Sequence, residues 1–438
     1  RFMKRNILLF SLVVFMFTAC QLGDLQYVDF TQVDSVATSS FRVYKQRITQ
    51  LAHLLEDEEQ LALWGLSDDS SETSSYRANG PLRATSVPGT QILQQILNLS
   101  TAYTALELSG IYESVDVDGN PITLSGKVIL PADGIIKRYI LVSHYTICSD
   151  REAPSNNFSL EGLLVQLGYA LIIPDYLGYG VTAEQVHPYL MMDVTAHNVI
   201  DMYLAVVPYL KALGYTPEHN DIYLMGYSQG GAVTMAVQHL IEHHGIDIDI
   251  HRVFVGGGPY DVKYTYDMFV ETNIASYPCA VPLMLQGMVV GEKLDLDMSK
   301  MMVKRIYENL DEWINSKRYT TGQINDFIGS NVTSDLLTEI GRDRTSKAVS
   351  ELYKSMTNNS ILTYSWTPQA PVFMMHSMND EVVPFENAMR AKSKWKDANI
   401  QYHFGYFGGH QLTCVQFIYM VKTLLIKAEN EENGKFEF

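Results

Sequence analysis

Cysteine is scarce, with four among 438 residues, and that scarcity excludes a disulfide-stapled scaffold. Cys20, Cys148, Cys279 and Cys414 also lack the paired spacing of a zinc site, so no metal centre is expected from them. Basic residues are outnumbered, with 32 Lys and Arg against 49 Asp and Glu, for a net charge of −17. An acidic surface repels nucleic acid and anionic membrane faces, which removes both as expected partners. Internal repeats and low-complexity segments are missing as well. What is present is a 47% hydrophobic composition, enough for a large core. A single core rarely exceeds about 300 residues, so one core carrying large additions is expected.

The apolar stretch at 7–17 is too short to span a bilayer comfortably, and Met3-Lys4-Arg5 before it supplies the basic segment of a signal peptide. Phe17-Thr18-Ala19-Cys20 resembles the lipobox of bacterial lipoproteins. That resemblance implies removal of residues 1–19 and lipidation of Cys20, the only membrane attachment expected. Loss of Arg1, Lys4 and Arg5 would make the chain more acidic still. Gln21 in place of Asp after Cys20 implies, by resemblance to Gram-negative lipoproteins, the outer membrane of the cell envelope. The remaining three cysteines allow at most one intramolecular disulfide.

Beyond a tether at 20–40, apolar residues at roughly helical spacing (Ile48, Leu51, Leu54, Leu55, Leu61) predict a helix over 41–66. A polar run at 68–75 predicts a linker, and 90–99 predicts a second helix, so 41–110 reads as an N-terminal helical extension. From 111 the texture changes to strands: a hairpin about Asp118-Gly119, then short apolar runs at 139–143, 170–174, 222–225, 252–255, 372–376 and 401–407. Strands alternating with helices after an opening hairpin predict an α/β fold, mainly parallel with antiparallel strands at its start. The core then comprises 111–260 and 369–438. Residues 261–368 are too many for a connection and read as a helical cap, in which Met298, Met302, Ile306, Leu310 and Trp313 share a face. Within it, Thr345 is placed to cap a helix burying Val349, Leu352, Tyr353 and Met356.

The chemistry concentrates at Gly226-Tyr227-Ser228-Gln229-Gly230-Gly231, between a predicted strand and an apolar-periodic helix. A serine on so sharp a turn has a strained backbone and needs small residues two before and two after it. Its hydroxyl then projects at a helix N-terminus that favours negative charge. Serine alone is a weak nucleophile and needs a base and an orienting acid. Asp380 follows one predicted strand and His410, after two glycines, follows the next. Asp261 and Glu381 are rival acids; His403, His144, His187, His197 and the pair His243-His244 read as packed or surface histidines.

An oxyanion hole needs two backbone N–H groups, one from Gln229 after the nucleophile and one from the loop His144-Tyr145-Thr146, assigned to Thr146. These motifs, with Pro174-Asp175-Tyr176-Leu177-Gly178-Tyr179-Gly180 and His187-Pro188-Tyr189, resemble the α/β-hydrolase superfamily, most nearly its bacterial secretory lipases and serine esterases. The likeness covers about 111–260 and 370–425. It implies an α/β-hydrolase fold, no cofactor and a small-molecule ester substrate, with Asp175 stabilising a turn. Tyr145 stands where relatives carry glycine. An apolar segment at 280–290 is expected to roof a pocket made with Tyr145, Tyr227, Tyr260, Met284 and Met288. A serine peptidase of prolyl-oligopeptidase type, a carbohydrate (acetyl or feruloyl) esterase and a non-catalytic glycan-binding lipoprotein are the alternatives.

Overall fold

The computed structural model describes residues 41–54, 56–64 and 103–432. Cys20, the tether, the polar run at 68–75 and the helix expected at 90–99 fall outside these residues. Among the described residues, nine strands form one sheet: β1 (Arg42–Gln50), β2 (Thr104–Val115), β3 (Pro121–Pro131), β4 (Tyr139–Ser143), β5 (Ala170–Pro174), β6 (Ile222–Tyr227), β7 (Ile250–Gly256), β8 (Val372–Ser377) and β9 (Ile400–Gly405). Their order is β1-β2-β3-β5-β4-β6-β7-β8-β9. Pairing is antiparallel from β1 to β5 and parallel from β5 to β9.

The parallel strands are apolar on both faces because each face has its own core. Leu141, Leu224, Val253 and Met374 point into one, and Ile140, Met225, Phe254 and Phe373 into the other, as the period of two requires. The first core holds α2 (Met192–Ala212), α3 (Gln229–His244) and the cap helices α4 (Val262–Thr272), α5 (Ala280–Glu292) and α6 (Lys347–Asn358). The second holds the segment Leu160–Leu167, α8 (His410–Glu432) and Trp64, which caps α1 (Glu58–Leu63). Between β8 and β9 runs α7 (Glu386–Lys394).

The helix expected over 41–66 is instead β1 followed by two short helices, Leu51–Leu54 and α1. β1 pairs with β2 along 42–50, setting Val43 opposite Gly110. A Cβ at Gly110 would meet the Phe41 ring at 2.4 Å, so glycine there admits the strand. An open sheet edge with β-branched Val43, Ile48 and Thr49 outweighs helical spacing in a segment this short. The sheet therefore begins well before residue 111.

In the cap, the expected face of Met298 to Trp313 breaks into Met298–Met301, Lys304–Glu308 and the π-helical Asp311–Asn315. Met302 is extended and bridges to Leu337, and the Val303 N–H donates to the Leu336 carbonyl, which interrupts one long helix. Ser346 rather than Thr345 caps α6, accepting from the Val349 N–H, while the Thr345 hydroxyl turns to Asp343. The face carrying Val349, Leu352, Tyr353 and Met356 is buried as expected.

One ion pair is sealed inside the antiparallel half. Lys127 on β3 meets Glu107 on β2, both buried, with Thr49 of β1 also donating to that carboxylate and Asn157 accepting from the ammonium at 2.7 Å. Removing Lys127 leaves the buried Glu107 carboxylate with the Thr49 hydroxyl and only a distant cation, Arg47 Nε at 3.9 Å. Lys127→Met is expected to lower the unfolding free energy by about 3–5 kcal/mol in urea titration, and adding Glu107→Leu to restore most of it. An additive double variant would count against a paired buried charge.

Candidate active site

Ser228 stands between β6 and α3 with φ 56° and ψ −125°, a conformation that costs a non-glycine residue energy. Its N–H donates to the Gly256 carbonyl at 2.8 Å, and its own carbonyl accepts from Gly231 at 2.9 Å, so neighbouring elements hold the turn. The two flanking glycines are steric necessities. A Cβ at Gly226 would lie 2.2 Å from the Gly230 carbonyl oxygen, and one at Gly230 2.0 Å from that of Ser143.

His410 opens α8, and its Nε2 lies 2.8 Å from Ser228 Oγ while Nδ1 lies 2.7 Å from Asp380 Oδ2. The other oxygen of Asp380 accepts from the N–H groups of Val382 and Val383 at 2.9 and 2.8 Å. Glu381, the rival acid, accepts instead from the His410 backbone N–H at 3.1 Å, and Tyr227 donates its hydroxyl to the His410 carbonyl at 2.8 Å. The imidazole is thus anchored through its main chain on two sides. Asp261, the other rival, caps α4 and pairs with Arg390 at 2.7 Å. His403 stacks on Phe407 beside β9.

Burial favours the neutral His410 ring, but the Asp380 carboxylate outweighs it and raises the pKa above the ordinary 6.5. Burial likewise pushes the Asp380 carboxyl up, and contact with His410 more than offsets it, leaving the group below its usual range. His376, not singled out among the histidines from sequence, donates from Nε2 to the Val383 carbonyl at 3.0 Å and lies 3.5 Å from Asp380. It backs the carboxylate, and burial keeps its own pKa low. A hydroxyl, an imidazole and a buried carboxylate in this contact order form a path for one proton.

The loop after β4 carries Thr146, whose hydroxyl bonds Tyr189 at 2.9 Å. His144 beneath it stacks on Tyr176 and lies within hydrogen-bond reach of the Tyr145 and Asp175 carbonyls, with burial lowering its pKa to about 4. Asp175 is itself buried, bound to the Ser155 N–H and the Ser125 hydroxyl, which suits a structural role for it. Gln229 is the first residue of α3, so its N–H has no acceptor within the helix. Its side chain is drawn away to His187. Burial lowers the His187 pKa to about 3; Nδ1–H donates to the Leu177 carbonyl, so Nε2 is left to accept from the Gln229 amide.

Ser228 and His410 open onto a cavity of about 190 Å³ whose walls include Tyr145, Thr146, Tyr189, Tyr227, Phe269 and Met284. Two residues expected there lie elsewhere. Met288 is one helical turn, roughly 5.4 Å, beyond Met284, and its sulfur accepts from Ser355 inside the cap. Tyr260 is fully buried against Gly258. Conversely, Ala62, Leu63 and Trp64 line the cavity, and so does Glu152, whose carboxyl burial pushes up to about 7. No local pattern marks these four positions in the sequence.

Asp380→Asn is expected to lower the titration midpoint of the His410 ring, because burial persists while the opposing carboxylate is lost. Proton NMR of that imidazole checks the sign, and an unchanged midpoint would remove Asp380 as the cause.

The secretory lipase family model matches residues 154–418, more than half of the chain. A secreted triacylglycerol lipase of Malassezia restricta, LIP3, is 24% identical over 286 residues, which cover 62% of this chain and 55% of that protein. The chain therefore spans little more than half the length of that relative. Among solved structures, the rice cell wall degrading esterase LipA of Xanthomonas oryzae superposes with a TM-score of 0.66 at 19% identity, covering 77% of this chain and 93% of that one. A structure from Legionella pneumophila gives 0.67 at 18%, over 77% and 95%, and Candida antarctica lipase A 0.54 at 17%, over 72% and 74%. With its mainly parallel sheet, flanking helices and matched segment containing Ser228, Asp380 and His410, the chain belongs to the secretory lipase family and has the α/β-hydrolase fold.

Proposed function

We propose that the protein hydrolyses carboxylic esters through a Ser228–His410–Asp380 triad. The observation that carries this reading is the unbroken hydrogen-bond path from the Ser228 hydroxyl through His410 to buried Asp380, opening onto a largely apolar cavity. His410 Nε2 takes the proton of Ser228 as Oγ attacks the ester carbonyl. The imidazolium that forms is stabilised by Asp380, and the Thr146 and Gln229 amides receive the developing oxyanion. The alcohol then leaves with the proton from His410, and water, activated by the same ring, frees the acid from Ser228.

Membership of a family of secretory lipases and the apolar wall support esters over peptides. An aminopeptidase would need carboxylates directed at a substrate amine, whereas Glu152 in the wall spends one oxygen on the Ser149 and Cys148 N–H groups. The acyl half is assigned to the wall under α5, where Met284 supplies an adaptable surface. The chain is further assigned to the cell envelope, held by lipid on Cys20.

Ser228→Ala is expected to abolish turnover of a chromogenic short-chain ester, with a loss of about six orders of magnitude, and to abolish labelling by a fluorophosphonate. In wild type the acid limb of kcat/KM should have its midpoint above pH 6.5, because the base must be neutral and its pKa is raised. A purified variant that still turns over esters would end this assignment. For the anchor, Cys20→Ser should move the protein from the membrane to the soluble fraction; unchanged fractionation would exclude lipidation there.

A further inference from the structure

The cavity above Ser228 is walled by two different cores. On one side Leu190, Phe269 and Met284 belong to the cluster that fills the cap face. On the other, Trp64, Leu160 and Val415 belong to the cluster around α8. Trp64 arrives from the N-terminal segment, ahead of the stretch that matches the family model. Trp64 is 7% exposed, its Nε1–H donates to the Phe158 carbonyl at 2.9 Å, and Gln60 donates to the same oxygen at 3.1 Å.

An ester with its carbonyl at Ser228 directs its acyl and alcohol halves apart. The proton released from Ser228 must reach the departing alkoxide from His410 Nε2, so the alcohol half lies on the side of that ring. Val415 is on the first turns of the helix that begins at His410, and Gln411 beside it also lines the cavity. We infer that Trp64 walls the alcohol subsite and selects which alcohol half the enzyme accepts, while the cap wall selects the acyl half. This rests on the ester-hydrolase reading above.

The alcohol half is present in only one of the two chemical steps. In acylation the Ser228 Oγ–carbonyl bond forms, the carbonyl–alkoxide bond breaks, and the Ser228 proton leaves with the alcohol. In deacylation water stands in the place of the alcohol, activated by the same His410 ring, so the carbon skeleton of the alcohol meets its wall during acylation only.

The test compares butyrate esters of methyl, benzyl and naphthylmethyl alcohols, then methyl esters of graded acyl length. Trp64→Ala should raise the bulky-to-methyl alcohol ratio of kcat/KM by about tenfold or more and leave acyl-length preference alone. Should Trp64→Ala not fold, Leu63→Trp narrows the same wall and should shift the alcohol ratio the opposite way. An unmoved alcohol ratio, or a change in acyl-length preference, overturns the assignment. A folded wild type that hydrolyses no ester and resists fluorophosphonate overturns the hydrolase reading itself, a distinguishable failure.

Discussion

A serine kept at positive φ between a buried strand and a helix is unstable by itself, at a cost of about 1–3 kcal/mol, and the surrounding structure is organised to hold it. The Gly256 carbonyl on β7 takes the Ser228 N–H, and Gly230 lets α3 approach the end of β4 so closely that no side chain fits. That contact also brings the loop bearing Thr146 against the start of α3. Strand order, helix packing and the two glycines therefore serve one local geometry, in which a hydroxyl is exposed at the carboxyl edge of the sheet.

The electrostatics around it are equally selective. Four buried imidazoles surround the site, and burial lowers the pKa of His144, His187 and His376. Only His410 is raised, because only it has a carboxylate at 2.7 Å whose second oxygen is held by two backbone N–H groups. Positive charge is thus favoured at the one ring touching Ser228 Oγ. The neutral rings act as fixed hydrogen-bonding parts: His187 turns the Gln229 side chain aside, and His376 packs behind Asp380.

The cavity shows how additions to the core acquire a role. The cap contributes Met284 and Phe269, and the N-terminal segment contributes Trp64, so the space above Ser228 is bounded by chain from outside the parallel strands. Each wall is continuous with a different core of the sheet.

What the sequence by itself determined is what local sterics and periodicity govern. The glycines around Ser228 announce a tight strand-to-helix turn, and short apolar runs announce strands buried on both faces. Chain order and position after predicted strands put Asp380 and His410 forward, with Asp261 and Glu381 left as rival acids. Where distant partners decide, the pattern misleads: helical spacing over 41–66 takes in residues 42–50, yet an open sheet edge with Gly110 opposite makes these a strand. Met284 and Met288 share a helical face, but only the position of that helix over the sheet separates a cavity wall from cap packing. Trp64 belongs wholly to the tertiary structure, because a wall assembled from segments far apart in the chain has no spacing to read. Local backbone preference is written in neighbouring residues; shared space between distant residues exists only once the chain has folded.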